Sequence, residues 1–218
     1  MNHFQKTIKR MKDNPSENFT KIPINKRNIF LRSVDLSQES VSLITDWRNQ
    51  YWQGFLTKFE ASERNTLKWL DKEIMQNPER ILFFIILKKQ KIGHVGIMNY
   101  DKNLNTVEID NVLRGVRIDQ PDLMENVLKA IFKWMFNELK LSEINLKVFS
   151  DNYKAINLYE RCGMITTGVK PLKRSITKDG WKWIETKLKC ETEWAERYLS
   201  IMKISKDNFK KRGHHNEY

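Results

Sequence analysis

The stretch FSDNYKAINLYERCGM, residues 149–164, decides the fold of this 218-residue chain. The run that leads into it, Glu143 to Phe149, is short, apolar and β-branched, and it therefore predicts a strand. Ser150 or Asp151 is placed to cap a helix, because the apolar residues that follow keep helical spacing. Gly163 supplies the residue past the end of that helix. The stretch therefore predicts a strand, a polar turn and a two-turn helix.

The polar turn places Asn152, and the helix places Tyr159, at the rim of the space that the strand borders. Five spaced residues resemble the signature Asn-x-x-Ala-x-x-x-Tyr-x-x-x-Gly-Phe of the GNAT superfamily of acyl-CoA-dependent N-acyltransferases, namely Asn152, Ala155, Tyr159, Gly163 and Met164, the last in place of phenylalanine. The order of strand, helix and strand also agrees with that family. The resemblance implies an α+β fold with a mixed, mostly antiparallel, twisted sheet flanked by helices.

The rest of the chain predicts elements in an order that suits this fold. Hydrophobic patterns predict a strand at 29–34, helices at 37–47 and 62–77, a hairpin of 80–87 and 91–100, a strand at 105–114, a helix at 121–139 and a closing hairpin of 166–176 and 181–190. The resemblance implies that strands 105–114 and 143–149 are parallel neighbours that splay apart. The gap between them would admit the pantetheine arm of coenzyme A.

Composition and charge predict three parts of the chain. Residues 28–190 are expected to form the GNAT-like acyltransferase domain, because 218 residues with 40% hydrophobic content fit one globular domain with extensions. Residues 1–27 carry much of the net charge of +12 and predict a basic, mobile N-terminal arm. Residues 191–218 predict an amphipathic helix and a polar tail. Since no nucleic-acid-binding motif accompanies the basic arm, a nucleic acid is not an expected partner.

Cysteine content and hydropathy indicate a cytoplasmic enzyme. Cys162 and Cys190 are too few for a disulfide framework, and neither belongs to a metal-ligand cluster. The longest apolar run, Ile81 to Leu87, is too short to span a bilayer, and the first ten residues lack the apolar segment of a signal peptide. We expect no metal and no membrane span, and a homodimer stays open as the assembly.

Two carboxylates, Glu108 and Asp110, project from one face of the predicted strand 105–114. Burying an unpaired charge is costly, so they either pair with cations of a neighbouring element or border a cleft. The GNAT resemblance implies the cleft, because an acid near the start of this strand takes a proton from the ammonium of the acceptor. Glu108 falls at the matching place and is the predicted base, and Asp110 is a predicted acceptor-binding residue.

The resemblance also implies direct attack of a neutral amine on the thioester of acetyl-CoA or another short acyl-CoA, which is the acyl donor. Tyr159 matches the family's acid, which protonates the departing thiolate; a phenol with a pKa of about 10 suits a thiol of about 8.5. A backbone N–H around Val112 would stabilise the oxyanion. Asn152 would hydrogen-bond the pantetheine or the bound backbone.

The loop after strand 105–114 departs from the family pattern. Relatives carry Gln or Arg-x-x-Gly-x-Gly or Ala there, and the glycines let backbone N–H groups wrap the pyrophosphate. This chain has RIDQPDL at 117–123, with neither glycine and with two aspartates that would repel a phosphate. We therefore expect coenzyme A to be held by Arg114, Arg117 and Gln120, or else to bind weakly or not at all.

The acceptor is predicted from the aromatic stretch that follows helix 37–47. Arg48, Asn49, Tyr51 and Trp52 lie in it, and its Trp-Arg-Asn sequence resembles acyltransferases that modify nucleotide-linked amino sugars for bacterial surface polysaccharides. Aromatic rings suit a sugar ring, and an arginine suits a nucleotide diphosphate. Two alternatives stay open: acetylation of a protein or peptide N-terminus, and a non-catalytic binding module that has lost the pyrophosphate loop.

Overall fold

The computed structural model describes residues 1–24, 27–188 and 194–213. Its strands are β1 (Thr20–Ile24), β2 (Arg27–Ser33), β3 (Thr57–Phe59), β4 (Ile81–Leu87), β5 (Gln90–Asp101), β6 (Thr106–Arg114), β7 (Glu143–Phe149), β8 (Ile165–Thr177), β9 (Gly180–Glu185) and β10 (Arg197–Ser205). Its helices are α1 (His3–Asp13), α2 (Gln38–Gln50), α3 (Glu63–Trp69), α4 (Leu123–Asn137), α5 (Tyr153–Arg161) and α6 (Lys206–Gly213), with a 3-10 turn at Trp52–Gly54 and a π-helical segment at Leu70–Met75.

The strands form one mixed sheet in the order β1-β2-β4-β5-β6-β7-β10-β8-β9-β3. Neighbours are antiparallel except for the pair β6 and β7, which is parallel. This is the predicted α+β architecture of a mostly antiparallel sheet with one parallel pair at its centre.

Strand β4 is the centre of a two-sided core, because its run ILFFIIL contains no polar residue and all of it is buried. Its side chains alternate between the two faces of the sheet. Phe83 and Ile85 join the cluster that includes α4 and α1, whereas Leu82, Phe84 and Ile86 join the cluster that includes α2 and the π-helical segment. Helices therefore cover both faces of the sheet at this strand.

The two parallel strands are paired only over their first halves. Residues Thr106 to Ile109 of β6 pair with Glu143 to Leu146 of β7. Beyond these residues the two strands do not pair with each other. On its other side β6 carries a bulge, where Asn111 has φ +49° and the register with β5 shifts between His94 and Gly96. The central pair therefore splays, as the resemblance implied.

The unit after β7 has the predicted elements but a different cap. Asn152, rather than either of the two residues before it, is the N-cap of α5, and its Oδ1 accepts a hydrogen bond of 3.2 Å from the N–H of Ala155. Asp151 is instead engaged by the guanidinium of Arg197, at 2.9 and 3.0 Å. Gly163 follows the helix with φ +97°, in agreement with its predicted place past the helix end.

The N-terminal part of the chain is helical and packed, which differs from the predicted mobile arm. Asn2 and Gln5 form a capping box at the start of α1. Phe4 and Ile8, four residues apart on one face, are 2% and 0% exposed in the main core. Lys12 is also buried, and its ammonium donates to backbone carbonyl oxygens at the end of the π-helical segment. The predicted mobile arm rested on the charge of this segment and did not take the helical spacing of its apolar residues into account.

The C-terminal part forms a strand where an amphipathic helix was predicted. Strand β10 lies between β7 and β8 and pairs antiparallel with both. Leu199 and Met202 have a spacing that fits a helix, but the two neighbouring strands have unpaired backbone groups that only a strand satisfies. The short edge strand β3 was likewise not predicted. The predicted end of the last hairpin at Cys190 lies outside the described residues.

We predict that Ile8→Ala lowers the free energy of unfolding by about 2–5 kcal/mol, because a fully buried isoleucine would leave a cavity in the main core. Urea unfolding monitored by circular dichroism measures the change. Lys6→Ala, on the exposed face of the same helix, is the matched control and should shift the value by less than about 0.5 kcal/mol. Equal stability of the two variants would show that α1 does not contribute to the core.

Candidate active site

Two cavities lie against the splayed strand β6, and Ile109, Asp110 and Asn111 line both of them. The larger cavity, of about 750 Å³, is bordered by β6, β7 and α5, and we call it the cofactor cavity. The smaller, of about 550 Å³, is bordered by β6, α2 and the segment around β3, and we call it the acceptor cavity. The splay therefore provides two spaces that meet at the middle of one strand.

The cofactor cavity has a strongly cationic lining, with Asp110 as the carboxylate among its lining residues. Arg114 and Arg117, both predicted here, line it and form no ion pair within the described chain. Lys154, at the start of α5, is also without an ion pair among the described residues. Two further cations of the lining are already paired, Lys147 with Glu108 and Arg161 with Glu125. Cations without counter-charges suit phosphate groups.

The two aspartates of the loop 117–123 do not lie where they would repel a phosphate in the cofactor cavity. Asp119 and Asp122 line neither cavity, whereas Pro121 lines the cofactor cavity. Helix α4 begins at Leu123, so the backbone N–H groups of its first turn have no partner within the helix. Gln120 is buried and lines neither cavity, so the structure does not bring it to the predicted coenzyme A site.

Tyr159 projects from α5 into the cofactor cavity and is 7% exposed. Its hydroxyl makes no hydrogen bond within the described part of the chain. Burial raises the pKa of the phenol above its ordinary value, and the neighbouring thiol of Cys162 raises it further. The phenol is therefore protonated throughout the physiological pH range, which is the state that a proton donor needs.

Val112 on β6 and Asn152, the N-cap of α5 after β7, both line the cofactor cavity at the opened part of the sheet. Val112 follows the bulge residue of β6, in the part of the strand that has no partner on the β7 side. Backbone groups that face this gap lack a strand to bond with, so they are available to a ligand with amide groups. The side-chain oxygen of Asn152 caps α5, which fixes this residue at the rim of the gap.

Glu108 lines the acceptor cavity and not the cofactor cavity. Its Oε2 lies 3.2 Å from the ammonium of Lys147 and accepts a hydrogen bond of 3.1 Å from Asn99. Its Oε1 accepts no hydrogen bond from the described residues. One carboxylate oxygen is therefore held in place while the other is available to a ligand in the cavity.

Asp110 lines both cavities but is committed to the protein. Its Oδ2 accepts hydrogen bonds from Arg80 at 2.7 Å and from the amide of Asn111 at 2.6 Å. Its Oδ1 is buried over Gly96, where a Cβ would lie only 2.0 Å away. Burial raises the pKa of this carboxyl, while the Arg80 guanidinium opposes the rise. The sequence left two alternatives for Glu108 and Asp110, a cationic partner or a place beside a cleft. Both occur together, because each carboxylate has a cationic partner and each borders a cavity.

Arg48 brings a half-buried cation to the acceptor cavity from the end of α2. Its Nη2 donates to the carbonyl and hydroxyl oxygens of Thr57, at 2.5 and 2.9 Å, and its guanidinium lies 4.1 Å from the ring centre of Phe55 and 4.8 Å from that of Phe59. Its Nη1 is buried without a partner. Burial lowers the pKa of Arg48 to about 10. No carboxylate among the described residues forms an ion pair with it.

The other three predicted acceptor-binding residues are placed differently from Arg48. Tyr51 lines the cofactor cavity and donates to the carbonyl oxygen of Gly115 at 3.2 Å. Asn49 uses both ends of its amide on the backbone of Ala61, at 2.7 and 3.0 Å, so it holds the loop rather than lining the acceptor cavity. Trp52 borders a third cleft beside β3. Of the four, the structure brings Arg48 into the acceptor cavity.

His94 lines the acceptor cavity and holds the bulge of β6. Its Nδ1 lies 2.6 Å from the carbonyl oxygen of Asn111, and because a carbonyl only accepts, Nδ1 carries the proton. Burial lowers the pKa of His94 to about 4, so the ring is neutral at physiological pH. The histidine therefore fixes the point at which the two cavities meet.

Several lining residues were missed by the sequence reasoning. Arg80, Lys147 and Trp69 line the acceptor cavity, and Lys154 and Arg161 line the cofactor cavity. The period-2 pattern of β7 offered a signal for Lys147, which lies two residues after Asn145, the register partner of Glu108, and hence on the same face of the strand. Nothing comparable indicated Arg80, because its contact with Asp110 spans thirty residues of the chain.

A sheet opened between two parallel strands, with a cation-lined cavity and a buried tyrosine on one side and an acceptor cavity on the other, is the arrangement that the GNAT resemblance implies for an acyl-CoA-dependent N-acyltransferase. The model of the family described as acetyltransferase (GNAT) domain matches residues 28–165. The chain therefore belongs to the GNAT acetyltransferase family, and acetyl-CoA is its acyl donor.

Known proteins are similar to this chain in sequence or in fold. The acetyltransferase PseH of Campylobacter jejuni is 27% identical over 133 residues, which are 59% of this chain and 78% of PseH. The spermidine N-acetyltransferase of Vibrio cholerae, solved with CoA and spermine, has a TM-score of 0.66 at 17% identity and covers 84% of this chain and 98% of its own. The dodecameric structure of that enzyme in an intermediate state has a TM-score of 0.63 at 16% identity, covering 84% of this chain and 97% of its own.

Two further properties concern metals and membranes. Within residues 1–24, 27–188 and 194–213, no three His, Cys, Asp or Glu side chains come together in a way that could hold a metal ion. None of the helices that the structure describes is both long enough and apolar enough to cross a membrane.

Proposed function

We propose that this acetyltransferase moves the acetyl group of acetyl-CoA to a primary amine on a nucleotide-linked amino sugar. The charge of the acceptor cavity is the observation that carries the proposal. Three cations and two carboxylates line it. Arg80 is paired with Asp110 and Lys147 with Glu108, which leaves Arg48 without a counter-charge. A cavity with an uncompensated cation favours an acceptor that carries an anionic group, such as a diphosphate.

The same charge argues against the other acceptors. A polyamine such as spermidine carries several positive charges, and the uncompensated charge of Arg48 would oppose its binding. A peptide N-terminal acetyltransferase would need an open groove lined by acidic residues, and the carboxylates here are few and paired. A non-catalytic module that had lost coenzyme A would have no need for the unpaired cations of the cofactor cavity, Arg114, Arg117 and Lys154.

The side chains of the two cavities can serve a direct transfer. Oε1 of Glu108 takes a proton from the acceptor ammonium, and the neutral amine then attacks the thioester carbonyl carbon. A C–N bond forms and the C–S bond breaks. The backbone N–H around Val112 stabilises the oxyanion, and Tyr159 gives its proton to the sulfur of the departing thiolate. The nitrogen then loses its second proton, which restores the phenol of Tyr159 and leaves the neutral amide. Asp110 keeps Arg80 in place beneath the acceptor.

The acceptor proposal is tested by acetylation assays with acetyl-CoA and a panel of amines. UDP- and dTDP-linked amino sugars should be acetylated with a kcat/KM at least about tenfold above that of free glucosamine or spermidine, since the diphosphate adds charge-assisted contacts. Arg48→Gln should remove most of this preference. Spermidine or a peptide as the best acceptor would overturn the proposal, whereas acetyl transfer itself would stand.

For the base, we predict that Glu108→Gln lowers kcat/KM about 100-fold or more, because an amide cannot accept the proton of the ammonium. The matched control is Glu143→Gln, whose carboxylate also pairs with a lysine, Lys203 at 3.0 Å, but lines neither cavity. The control should retain activity. Steady-state kinetics at several pH values distinguish the two, and a fully active Glu108→Gln variant would remove this residue from the proposed mechanism.

For the acid, we predict that Tyr159→Phe lowers kcat about 100-fold while acetyl-CoA binding persists, because the phenyl ring keeps the packing and loses only the proton. Tyr153→Phe, on the same helix and 71% exposed, is the control and should behave as the wild type. Rapid-mixing or steady-state release of free thiol reports the rate. If Tyr159→Phe releases thiol as fast as the wild type, another group protonates the thiolate.

A further inference from the structure

A third cleft, of about 500 Å³, lies on the outer side of the edge strand β3. Three aromatic side chains border it, Trp52, Phe59 and Trp181, and we call it the aromatic cleft. Lys58, Glu60 and Asp179 add one cation and two carboxylates to its lining. The proposed acetyl transfer uses none of these six side chains.

The rings of the aromatic cleft are held in a fixed arrangement. Trp52 and Trp181 meet edge to face, with ring centres 6.1 Å apart at an interplanar angle of 85°. Trp183 supports Trp181 from behind at 5.4 Å and 79°. Gly180 allows β9 to approach β3, because a Cβ there would lie 2.0 Å from the carbonyl oxygen of Lys58. The chain therefore builds a rigid aromatic surface at the edge of its sheet.

This surface is partly open to solvent. Phe59 is 36% exposed and Trp52 and Trp181 are half-buried, although large apolar rings gain more from complete burial. Grouped and partly exposed aromatic rings on a soluble protein indicate a binding site. The ammonium of Lys58 lies 3.9 Å from the ring centre of Trp52, so a cation accompanies the rings.

The aromatic cleft adjoins the acceptor cavity across one side chain. Phe59 lines both, and on the acceptor side its ring lies 4.8 Å from the guanidinium of Arg48. Lys58, the preceding residue of β3, borders the cleft. An anionic group beside Arg48 would thus lie one side chain away from the aromatic surface, with a second cation on the far side of the strand.

We propose that the aromatic cleft is the subsite for the heteroaromatic base of a nucleotide-linked acceptor. This inference rests on the proposed function and adds to it the place where the base binds. In this arrangement the amine lies in the acceptor cavity beside Glu108, the diphosphate lies beside Arg48, and the base packs on Trp52 and Trp181. Stacking on aromatic side chains is tolerant of the identity of the base, while Asp179 supplies a polar edge.

The test is a calorimetric titration with UDP, CDP, GDP and ADP, and with ribose 5-phosphate as the ligand without a base. Saturating CoA is present so that nucleotides do not enter the cofactor cavity. The variants are Trp52→Leu and Trp181→Leu. The matched control is Trp194→Leu, because Trp194 is 84% exposed and lines none of the three spaces.

We expect at least one nucleoside diphosphate to bind the wild type and the control equally, and to bind both cleft variants about tenfold more weakly, as the loss of one base-stacking contact implies. Ribose 5-phosphate should bind all four proteins alike. The inference is overturned if the tightest nucleotide binds the cleft variants as well as the wild type, or if no nucleotide binds the wild type.

The acetyl-CoA-dependent rise in melting temperature, recorded on the same samples, separates this inference from the proposed function. A retained rise in the cleft variants shows that they are folded and bind the acyl donor. Acetyl transfer to an amine without nucleotide binding would reject the aromatic cleft as a base subsite, whereas the acetyltransferase activity would stand. If neither nucleotide binding nor acetylation of a nucleotide-linked amino sugar is observed, the proposed nucleotide-linked acceptor is rejected.

Discussion

The separation of β6 from β7 beyond Ile109 and Leu146 is the constraint on which the rest of the structure depends. Opening a sheet at its centre leaves backbone donors and acceptors without partners, which is unfavourable unless something else satisfies them. The bulge at Asn111 and the hydrogen bond from His94 hold β6 in this position. The packed core on both faces of β4 makes the remaining sheet rigid enough to keep the gap open.

Charge divides the opened region into two spaces with different ligands. On the α5 side, Arg114, Arg117 and Lys154 are unpaired cations, and we propose that they bind the pyrophosphate in place of the glycine-rich loop of the family. A guanidinium binds a phosphate with two parallel hydrogen bonds, so Arg114 and Arg117 can replace backbone N–H groups without a change in fold. On the other side, ion pairs neutralise the carboxylates and leave Arg48 as the excess charge.

Local patterns predicted the elements in the middle part of the chain and failed in its N-terminal and C-terminal parts. The strand 143–149 and the helix after it follow from spacing and from Gly163, and β4 follows from its apolar run. The helix α1 was missed because its charge obscured its apolar face, and β10 because its pattern suits a helix until β7 and β8 are placed beside it. Among the residues that line the cavities, Arg117 and Tyr159 were named from the sequence and their roles stay predictions, whereas a pair distant in sequence, such as Arg80 with Asp110, was not foreseen.

Hydrogen–deuterium exchange with and without CoA tests most directly whether the gap between β6 and β7 is the cofactor site. The account predicts that CoA slows exchange in peptides covering residues 109–117 and 147–155, because unpaired backbone groups there gain partners. Exchange in the β8–β9 hairpin should not change. Protection confined to other segments, or no protection at saturating CoA, would contradict the account.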